Sequence, residues 1–185
     1  MSTFESLLIA HCAPTLLGIK QANLFSCPIE NQQEFLSELD KYNVLLNSKD
    51  IYFKVLYTCK SRLFIITYRK QPMLASLKSK KIEQFLKSIG YPVSSLENSL
   101  DFLGTRITGC DEFPHEIGFF LGYPTDDVLE FIKHKGLNFK FCGYWKVYSD
   151  EDKAKKLFSQ YRKCNAFLLK KAEAGIPLSK LLGVA

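Results

Sequence analysis

The chain has 185 residues, of which 46% are hydrophobic and 14% aromatic, so it is long enough and apolar enough to bury a core as one domain. Its fifteen Phe and nine Tyr argue against disorder, and no apolar run approaches the roughly 20 residues of a membrane-spanning helix. The first residues carry no basic stretch of the kind that opens a secretory signal. We therefore expect one soluble, cytoplasmic domain over residues 1–185 with no membrane role.

Cysteine spacing and charge distribution further limit the structures and functions that the chain can have. The six cysteines are scattered without a C-x-x-C pair, which predicts free thiols packed as small hydrophobes and no zinc cage or disulfide framework. The net charge of +6 is unevenly spread, because basic blocks over 54–87 and 133–171 flank an acidic block over 97–130. Either these blocks complement each other across solvated faces, or a positive patch binds an anionic ligand.

The first half of the chain predicts helices and a hairpin. Residues 7–10 belong to a helix, and Asn31 with Glu34 resembles a capping box ahead of an apolar stripe, which predicts a second helix over about 32–46. Residues 51–58 and 63–68 are rich in β-branched and aromatic side chains and predict a hairpin.

The second half predicts more helices and two strands. Apolar residues at helical spacing predict four further helices, over 82–89, from about 95, between 124 and 136, and along 154–168. Residues 117–121 are predicted as a short buried strand, and 138–148 as a long strand that Gly143 interrupts. The fold class predicted is therefore α+β (mixed α/β), a single compact domain in which about five to seven helices pack on a small mixed sheet that includes a β-hairpin.

A stretch in the middle of the chain places two ionisable side chains and two glycines around an apolar run. His115 could act as a general base or metal ligand, with Glu116 orienting it or serving as an acid. Neighbours on a regular strand point to opposite faces, so both reach one site only where the backbone is irregular, which Pro114 permits. The alternative is a structural His115 bonded to a loop carbonyl. Gly118 and Gly122 fit no phosphate-binding motif, and tight packing of a helix and a strand is the favoured interpretation.

The predicted strand 138–148 supplies a second candidate surface. Alternation would place Lys140, Cys142, Tyr144, Lys146 and Tyr148 on one face. A thiol between two lysines is expected to ionise more readily to the thiolate that nucleophilic or redox chemistry needs, and Tyr144 could stack on a planar ligand. The alternative is a sheet face that a helix partly covers, with the lysines reaching water.

The third candidate segment lies near the N-terminus, where an imidazole, a thiol, a hydroxyl and an amine fall within ten residues: His11, Cys12, Thr15 and Lys20. Pro14 could begin a short helix whose amide groups bind an anion. These four side chains are therefore candidate ligand-binding residues, and proximity to the two later segments would create a site for a metal or a nucleophile.

Three sequence blocks, HCAPT, FPHEIGFFLGYP and CGYWKVY, together resemble the domain-of-unknown-function family 3793, short uncharacterised proteins of anaerobic bacteria with PHE and LGYP motifs. The motifs fall at residues 114–116 and 121–124, and Tyr123 in the second motif joins the candidate ligand-binding residues. The resemblance implies a bacterial protein and a full-length single domain. The association of such genes with flavodoxins and iron-linked functions implies redox or cofactor biology, and no activity, metal or cofactor is assigned.

Two functions are consistent with these patterns. The first is binding of a small anionic or planar ligand or cofactor, with a redox link, in a pocket that the three segments form together. The catalytic candidates are His115, Glu116 and Cys142. The candidate anion contacts are Lys20 and Lys146. The alternative is a non-catalytic interaction or regulatory module that binds an acidic protein partner, such as an electron carrier, through its basic final helix or its hairpin. Nucleic-acid binding is disfavoured because the acidic block interrupts any continuous basic track.

Overall fold

The computed structural model describes four stretches of the chain, residues 3–28, 32–59, 62–109 and 113–184. The chain divides into two compact units. Unit 1 comprises Met1–Lys70 with Gln160–Ala185, and unit 2 comprises Gln71–Ser159. Each unit has its own elements and its own buried side chains. One domain over residues 1–185 stays a prediction.

Unit 1 is built on a three-stranded sheet with strand order β1–β3–β2: β1 is Ala22–Pro28, β2 is Tyr52–Cys59 and β3 is Arg62–Tyr68. Both pairings are antiparallel, so this sheet contains none of the parallel pairing that a mixed sheet would show. Strands β2 and β3 confirm the predicted hairpin; its polar turn at residues 60–61 lies outside the described residues. A register shift between Val55 and Tyr57 marks a bulge in β2.

Unit 1 also contains helix α1 (Thr3–Leu16), which precedes β1, and helix α2 (Gln32–Leu46), which lies between β1 and β2 in the chain. The helix predicted over 32–46 is confirmed, while Asn31 of the predicted capping box lies outside the described residues. The interpretation of Pro14 as a helix start was wrong, because Pro14 lies in the last turn of α1. Its carbonyl instead accepts hydrogen bonds from the N–H groups of Ile19 (2.8 Å) and Lys20 (3.0 Å).

The core of unit 1 unites these helices with the sheet. Apolar side chains of α1, α2 and all three strands pack together with residues from the C-terminal part of the chain, among them Phe4, Leu8, Phe25, Leu39, Phe53, Ile65, Cys164, Leu168 and Leu178. The last three come from α8 (Glu151–Glu173) and α9 (Leu178–Leu181). The final helix predicted around 154–168 is confirmed, and its buried face includes the predicted Tyr161, Cys164 and Leu168.

Unit 2 is mostly helical. Its helices are α3 (Lys70–Leu77), α4 (Lys80–Ser88), α5 (Leu96–Gly109), α6 (Ile117–Phe120), α7 (Thr125–Lys133) and the first turns of α8. The predicted helices at 82–89, near 95 and between 124 and 136 are confirmed. The described residues contain nine α-helices, of which seven are longer than one turn, and the α+β class is confirmed.

Residues 117–120 form helix α6 and residue 121 lies in the turn that follows, so the strand predicted over 117–121 was wrong. Phe119 and Phe120 are consecutive and both fully buried, whereas a one-sided strand would alternate buried and exposed positions. A short apolar run fits a buried strand or a buried helix equally well by periodicity alone. The turn at Pro114 decides between them, because its carbonyl accepts the N–H of Ile117 (3.1 Å) and begins the helical bonding pattern.

The long strand predicted over 138–148 was also wrong. Two short strands, β4 (Phe141–Cys142) and β5 (Lys146–Val147), pair antiparallel in a tight hairpin. The N–H of Gly143 donates to the carbonyl of Trp145 (3.0 Å), which reverses the chain where the prediction expected only an interruption. The expected single face from Lys140 to Tyr148 therefore does not form, but Cys142 and Lys146 are register partners across the hairpin.

Among the described residues, no helix combines the length and the apolar character needed to cross a membrane.

Candidate functional site

The PHE segment folds as a turn that leads into α6. The carbonyl groups of His115 and Glu116 accept the N–H groups of Gly118 (3.2 Å) and Phe119 (3.0 Å), so neighbouring side chains diverge in direction as they do in a helix. The His115 ring packs edge-on against the Phe131 ring of α7, with ring centres 4.7 Å apart. Among the described residues, no hydrogen bond engages this imidazole, so both of its nitrogens are available to a ligand.

Glu116 faces the interior of unit 2. Its Oε1 accepts hydrogen bonds from Nε of Arg106 (2.5 Å) and from the hydroxyl of Tyr91 (3.0 Å), and the carboxylate is almost fully buried. Burial, followed by the neighbouring Glu116 charge, raises the pKa of Tyr91 above its ordinary value, so this phenol stays a donor. The expected role of Glu116 as orienter of His115 is therefore replaced by an ion pair that fixes α6 to α5.

The LGYP segment ends α6 and begins α7. Gly122 has a φ of +75°, and the N–H groups of Gly122 and Tyr123 donate to the carbonyls of Phe119 (3.2 Å) and Gly118 (2.9 Å). These two bonds form a Schellman motif, which needs a left-handed residue at this position. Pro124 then starts α7, since its carbonyl accepts the N–H of Val128 (3.1 Å). The turn leaves the Tyr123 ring stacked on the Trp145 ring, with centres 5.0 Å apart.

Close packing explains two glycines of this region. A Cβ on Gly118 would lie 2.7 Å from Cγ2 of Val128, and one on Gly143 would lie 2.2 Å from Cε2 of Phe158. Both distances are shorter than a side chain tolerates, so these positions admit only glycine without movement of a buried neighbour. The predicted packing role of Gly118 is confirmed, although its partner is a helix and not a strand.

Asp127 connects α7 to the hairpin. Its Oδ2 accepts the indole N–H of Trp145 (2.7 Å), and its Oδ1 accepts the backbone N–H groups of Tyr148 (2.9 Å) and Ser149 (2.7 Å). The carboxylate is buried, and three donors satisfy it. This residue therefore holds the indole ring and the end of the hairpin in fixed positions.

These elements enclose a cavity of about 240 Å³ in unit 2. Eleven residues line it, contributed by the PHE segment, α6, the LGYP turn, α7 and the hairpin: His115, Ile117, Gly118, Tyr123, Asp127, Val128, Phe131, Cys142, Gly143, Trp145 and Lys146. Aromatic and aliphatic groups dominate this lining, and a few polar groups converge on it, which is the usual make-up of a small-molecule site.

The cavity brings together four of the residues singled out from the sequence. His115, Tyr123, Cys142 and Lys146 all line it. The Cys142 side chain is exposed, and burial raises the pKa of Tyr123 to about 12, so the phenol remains protonated. Tyr144, also predicted to bind a ligand, is outside the lining; its ring lies 5.3 Å from the Phe158 ring.

Two lysines flank the hairpin and differ in position. Nζ of Lys146 donates to the carbonyl of Gly136 (2.8 Å) and lies 4.8 Å from the centre of the Phe139 ring, beside the cavity. Nζ of Lys140 donates to the carbonyl of Ser149 (2.8 Å), and Lys140 does not line the cavity. Of this pair, only Lys146 can present a positive charge to an occupant.

The family model described as "Protein of unknown function (DUF3793)" matches residues 8–182. The chain belongs to this family. The match confirms the resemblance drawn from the sequence blocks, and it includes every residue that lines the cavity. No curated protein and no solved structure matches the chain.

In this member of the family, the N-terminal candidates lie in unit 1 and form a cluster of their own. Oγ1 of Thr15 donates to Oδ1 of Asn23 (2.6 Å), and Sγ of Cys12 lies 3.3 Å from Oγ1 of Thr67. His11 is exposed and stacks on the Phe25 ring at 6.1 Å.

Lys20 is the unusual member of this cluster. It is only 6% exposed, and its Nζ lies 5.8 Å from the centre of the Tyr161 ring. Burial lowers the pKa of Lys20 from 10.5 to about 8, although the nearby Cys12 acts in the opposite direction. Burial also raises the pKa of Cys12 to about 12, so this thiol stays protonated at neutral pH. The cluster is therefore a packed polar interior in which Cys12 is a poor nucleophile.

Sequence reasoning missed Asp127, Phe131 and Trp145 as site residues. The three hydrogen bonds that Asp127 accepts give it a structural role in the wall of the cavity. One signal was present in the sequence: Trp145 is the only tryptophan of the chain and stands between a glycine turn and a lysine. In the described residues, no group of three or more His, Cys, Asp and Glu side chains is arranged to hold a metal ion.

Proposed function

We propose that the protein binds a small ligand in the unit-2 cavity, with His115 as acid, base or ligand contact, Cys142 as thiolate or soft contact, and Lys146 as anion contact. The observation that supports this is the shared lining: two segments singled out from the sequence contribute an imidazole, a thiol and an amine to one apolar hollow. A redox role or a catalytic step would use the same three groups.

The volume of the cavity limits the ligand. A cavity of roughly 150 Å³ accepts a benzene ring, and the unit-2 cavity has about 240 Å³. It therefore suits one ring or two fused rings, and a whole dinucleotide would extend far beyond it. Tyr123, Phe131 and Trp145 contribute aromatic rings to the lining, which favours a ligand with a planar aromatic body.

Thermal denaturation with a library of one- and two-ring compounds tests this proposal. A ligand at 100 times its Kd stabilises the folded state by about 2.7 kcal/mol. We expect hits to stabilise the wild type and the His11→Ala control, whose histidine is exposed in unit 1. They should not stabilise Cys142→Phe, in which a large ring fills the mouth of the cavity, and should stabilise His115→Ala much less. Equal stabilisation of wild type and Cys142→Phe would place the ligand elsewhere.

A second candidate function is the binding of an acidic protein by the unit-1 part of α8. Arg162, Lys163 and Lys170 are exposed there, and Phe167 and Leu169 are each about half exposed among them. Exposed aromatic and Arg side chains are enriched at protein interfaces. Pull-down of an acidic flavodoxin at increasing salt tests this function: charge-driven binding should weaken steeply and should be lost in Arg162→Ala with Lys163→Ala. Retention by the double variant would exclude this surface.

A further inference from the structure

The charge arrangement around the unit-2 cavity selects among planar ligands. The inference rests on the proposed function, because it concerns the chemistry of the molecule that occupies that cavity. The lining includes an amine, an imidazole and a carboxylate, those of Lys146, His115 and Asp127. The three side chains differ in how many of their hydrogen-bond donors and acceptors are already paired within the described residues.

Asp127 has little left to offer a ligand. Both of its oxygens accept hydrogen bonds, one from the Trp145 indole and the other from two backbone N–H groups. The three donors offset the field of this carboxylate and direct its oxygens toward the hairpin. A cationic ligand would have to displace one of these bonds to pair with Asp127 and would leave a buried donor unsatisfied.

Lys146 still has hydrogen-bond donors to offer a ligand. Its ammonium group carries three N–H donors, and the structure assigns one of them to the carbonyl of Gly136. Gly136 has a φ of +74°, and a Cβ there would lie 3.3 Å from Nζ of Lys146 and 3.0 Å from Cζ of Phe131. The glycine therefore lets the ammonium approach the turn beside the Phe131 ring, where two N–H donors remain for an occupant.

His115 strengthens the same preference. Its imidazole packs on the edge of Phe131, and the ammonium of Lys146 lies 5.7 Å from the centre of that same ring. One aromatic ring is thus bordered by an ammonium group and an imidazole. An acidic group placed next to Phe131 can accept hydrogen bonds from both, while the rest of the ligand contacts the other aromatic lining residues, Trp145 and Tyr123.

We propose that the ligand is an aromatic acid: one or two fused planar rings packed against Trp145 and Tyr123, with a carboxylate or comparable oxyanion held by Lys146 and His115. The aromatic residue Phe139 is exposed, and its ring centre lies 4.8 Å from Nζ of Lys146. This side chain would extend the apolar contact for a ring that projects from the cavity. We therefore expect acids to bind most tightly, neutral amides to bind less tightly, and amines to be disfavoured as ligands.

Isothermal titration calorimetry with 2-naphthoate, 2-naphthamide and 2-naphthylmethylamine tests the class directly. The three compounds share one ring system and differ in charge. A charge-assisted hydrogen bond contributes enough to change affinity by about tenfold or more. We expect the acid to bind at least about tenfold more tightly than the amide, and the amine to bind most weakly. Decahydro-2-naphthoate, which carries the same charge on a non-planar body, should bind more weakly than 2-naphthoate.

Variants of the two hairpin lysines identify the cation. Lys146→Met should reduce the affinity for 2-naphthoate to that for 2-naphthamide and leave the amide unchanged, while Lys146→Arg should restore most of the preference for the acid. Lys140→Met is the matched control, because Lys140 flanks the same hairpin outside the cavity, and it should bind as the wild type does. Circular dichroism confirms that each variant is folded.

The outcomes separate the two proposals. Equal affinity for acid and amide, tightest binding of the amine, or an unchanged preference in Lys146→Met would overturn the aromatic-acid inference while the cavity remains a binding site. Absence of binding by all the naphthyl compounds, together with no hit from the one- and two-ring library, would overturn both.

Discussion

Each unit places a cysteine near a lysine, and the two settings differ in access. In unit 2, Cys142 and Lys146 are cross-strand partners that border an open cavity. In unit 1, Cys12 and Lys20 are buried, and the charge of each shifts the pKa of the other. The same residue types therefore line an open cavity in one place and lie in a packed interior in the other, and solvation decides whether a thiol or an amine can react.

The largest expected difference is in thiol reactivity. Burial raises the pKa of Cys12 from 9.0 to about 12, so its thiolate population is about a thousandfold lower than that of an ordinary thiol. We expect iodoacetamide at neutral pH to alkylate Cys142 at least about a thousandfold faster than Cys12. Peptide-level mass spectrometry of the native protein measures both rates. Similar rates in the native state would show that Cys12 is accessible, and equal rates in denaturant provide the control.

A second contrast separates the two neighbouring aspartates at the start of α7. Asp127→Ala leaves the Trp145 indole and two backbone donors without an acceptor, and we expect a loss of about 3 kcal/mol in the free energy of unfolding. Asp126→Ala removes an exposed pair with Lys81 and should cost no more than about 0.5 kcal/mol.

Urea denaturation followed by the fluorescence of Trp145 reports on this contrast from within unit 2, because the chain has one tryptophan. A similar stability for the two variants would mean that Asp127 does not hold the wall of the cavity.

The prediction with the smallest effect concerns Lys20 and pH. Its pKa falls from 10.5 in the unfolded chain to about 8 in the folded state, so between these values the unfolded state binds the extra proton. The free energy of unfolding should therefore rise with pH, by about 1 kcal/mol between pH 8 and pH 9. Lys20→Met should lack this rise.

Cys12 limits the pH range of that measurement. Its raised pKa acts in the opposite sense, since the unfolded thiol ionises above about pH 9 while the folded one retains its proton up to about pH 12. The rise from Lys20 should therefore flatten above pH 9 in the wild type and continue in Cys12→Ala. Denaturation at several pH values under reducing conditions measures both slopes. A wild-type stability that falls between pH 8 and pH 9 contradicts the assignment to Lys20.

The sequence predicted those elements whose pattern is local. Helix α2 carries apolar residues at helical spacing over four turns, and β2 and β3 are runs rich in β-branched and aromatic residues, so each has its own local signal. Helix α6 has no such signal, because a run of consecutive buried apolar residues shows neither helical nor strand periodicity. Strand β1 was missed because its position in the sheet depends on pairing with β3, about forty residues later in the chain.

The cavity was predictable only in part for the same reason. His115, Cys142 and Lys146 are chemically distinctive and could be selected without a structure. Asp127 and Trp145 meet across 18 positions of sequence through a hydrogen bond that tertiary packing creates. Glu116 is not a lining residue, and its partner Arg106 lies on helix α5, so this pairing could not be anticipated from neighbouring residues.

Protection of Cys142 by an occupant of the cavity tests the central claim most directly. Alkylation of Cys142 by iodoacetamide is followed by intact-mass spectrometry at increasing concentrations of 2-naphthoate, with decahydro-2-naphthoate as the non-planar comparison. We expect the alkylation rate to fall to a limiting value as 2-naphthoate is added, and half of this decrease should occur at a concentration equal to the calorimetric Kd. An unchanged alkylation rate at concentrations where calorimetry shows naphthoate bound would contradict it, because the ligand would then lie outside the hollow that Cys142 borders.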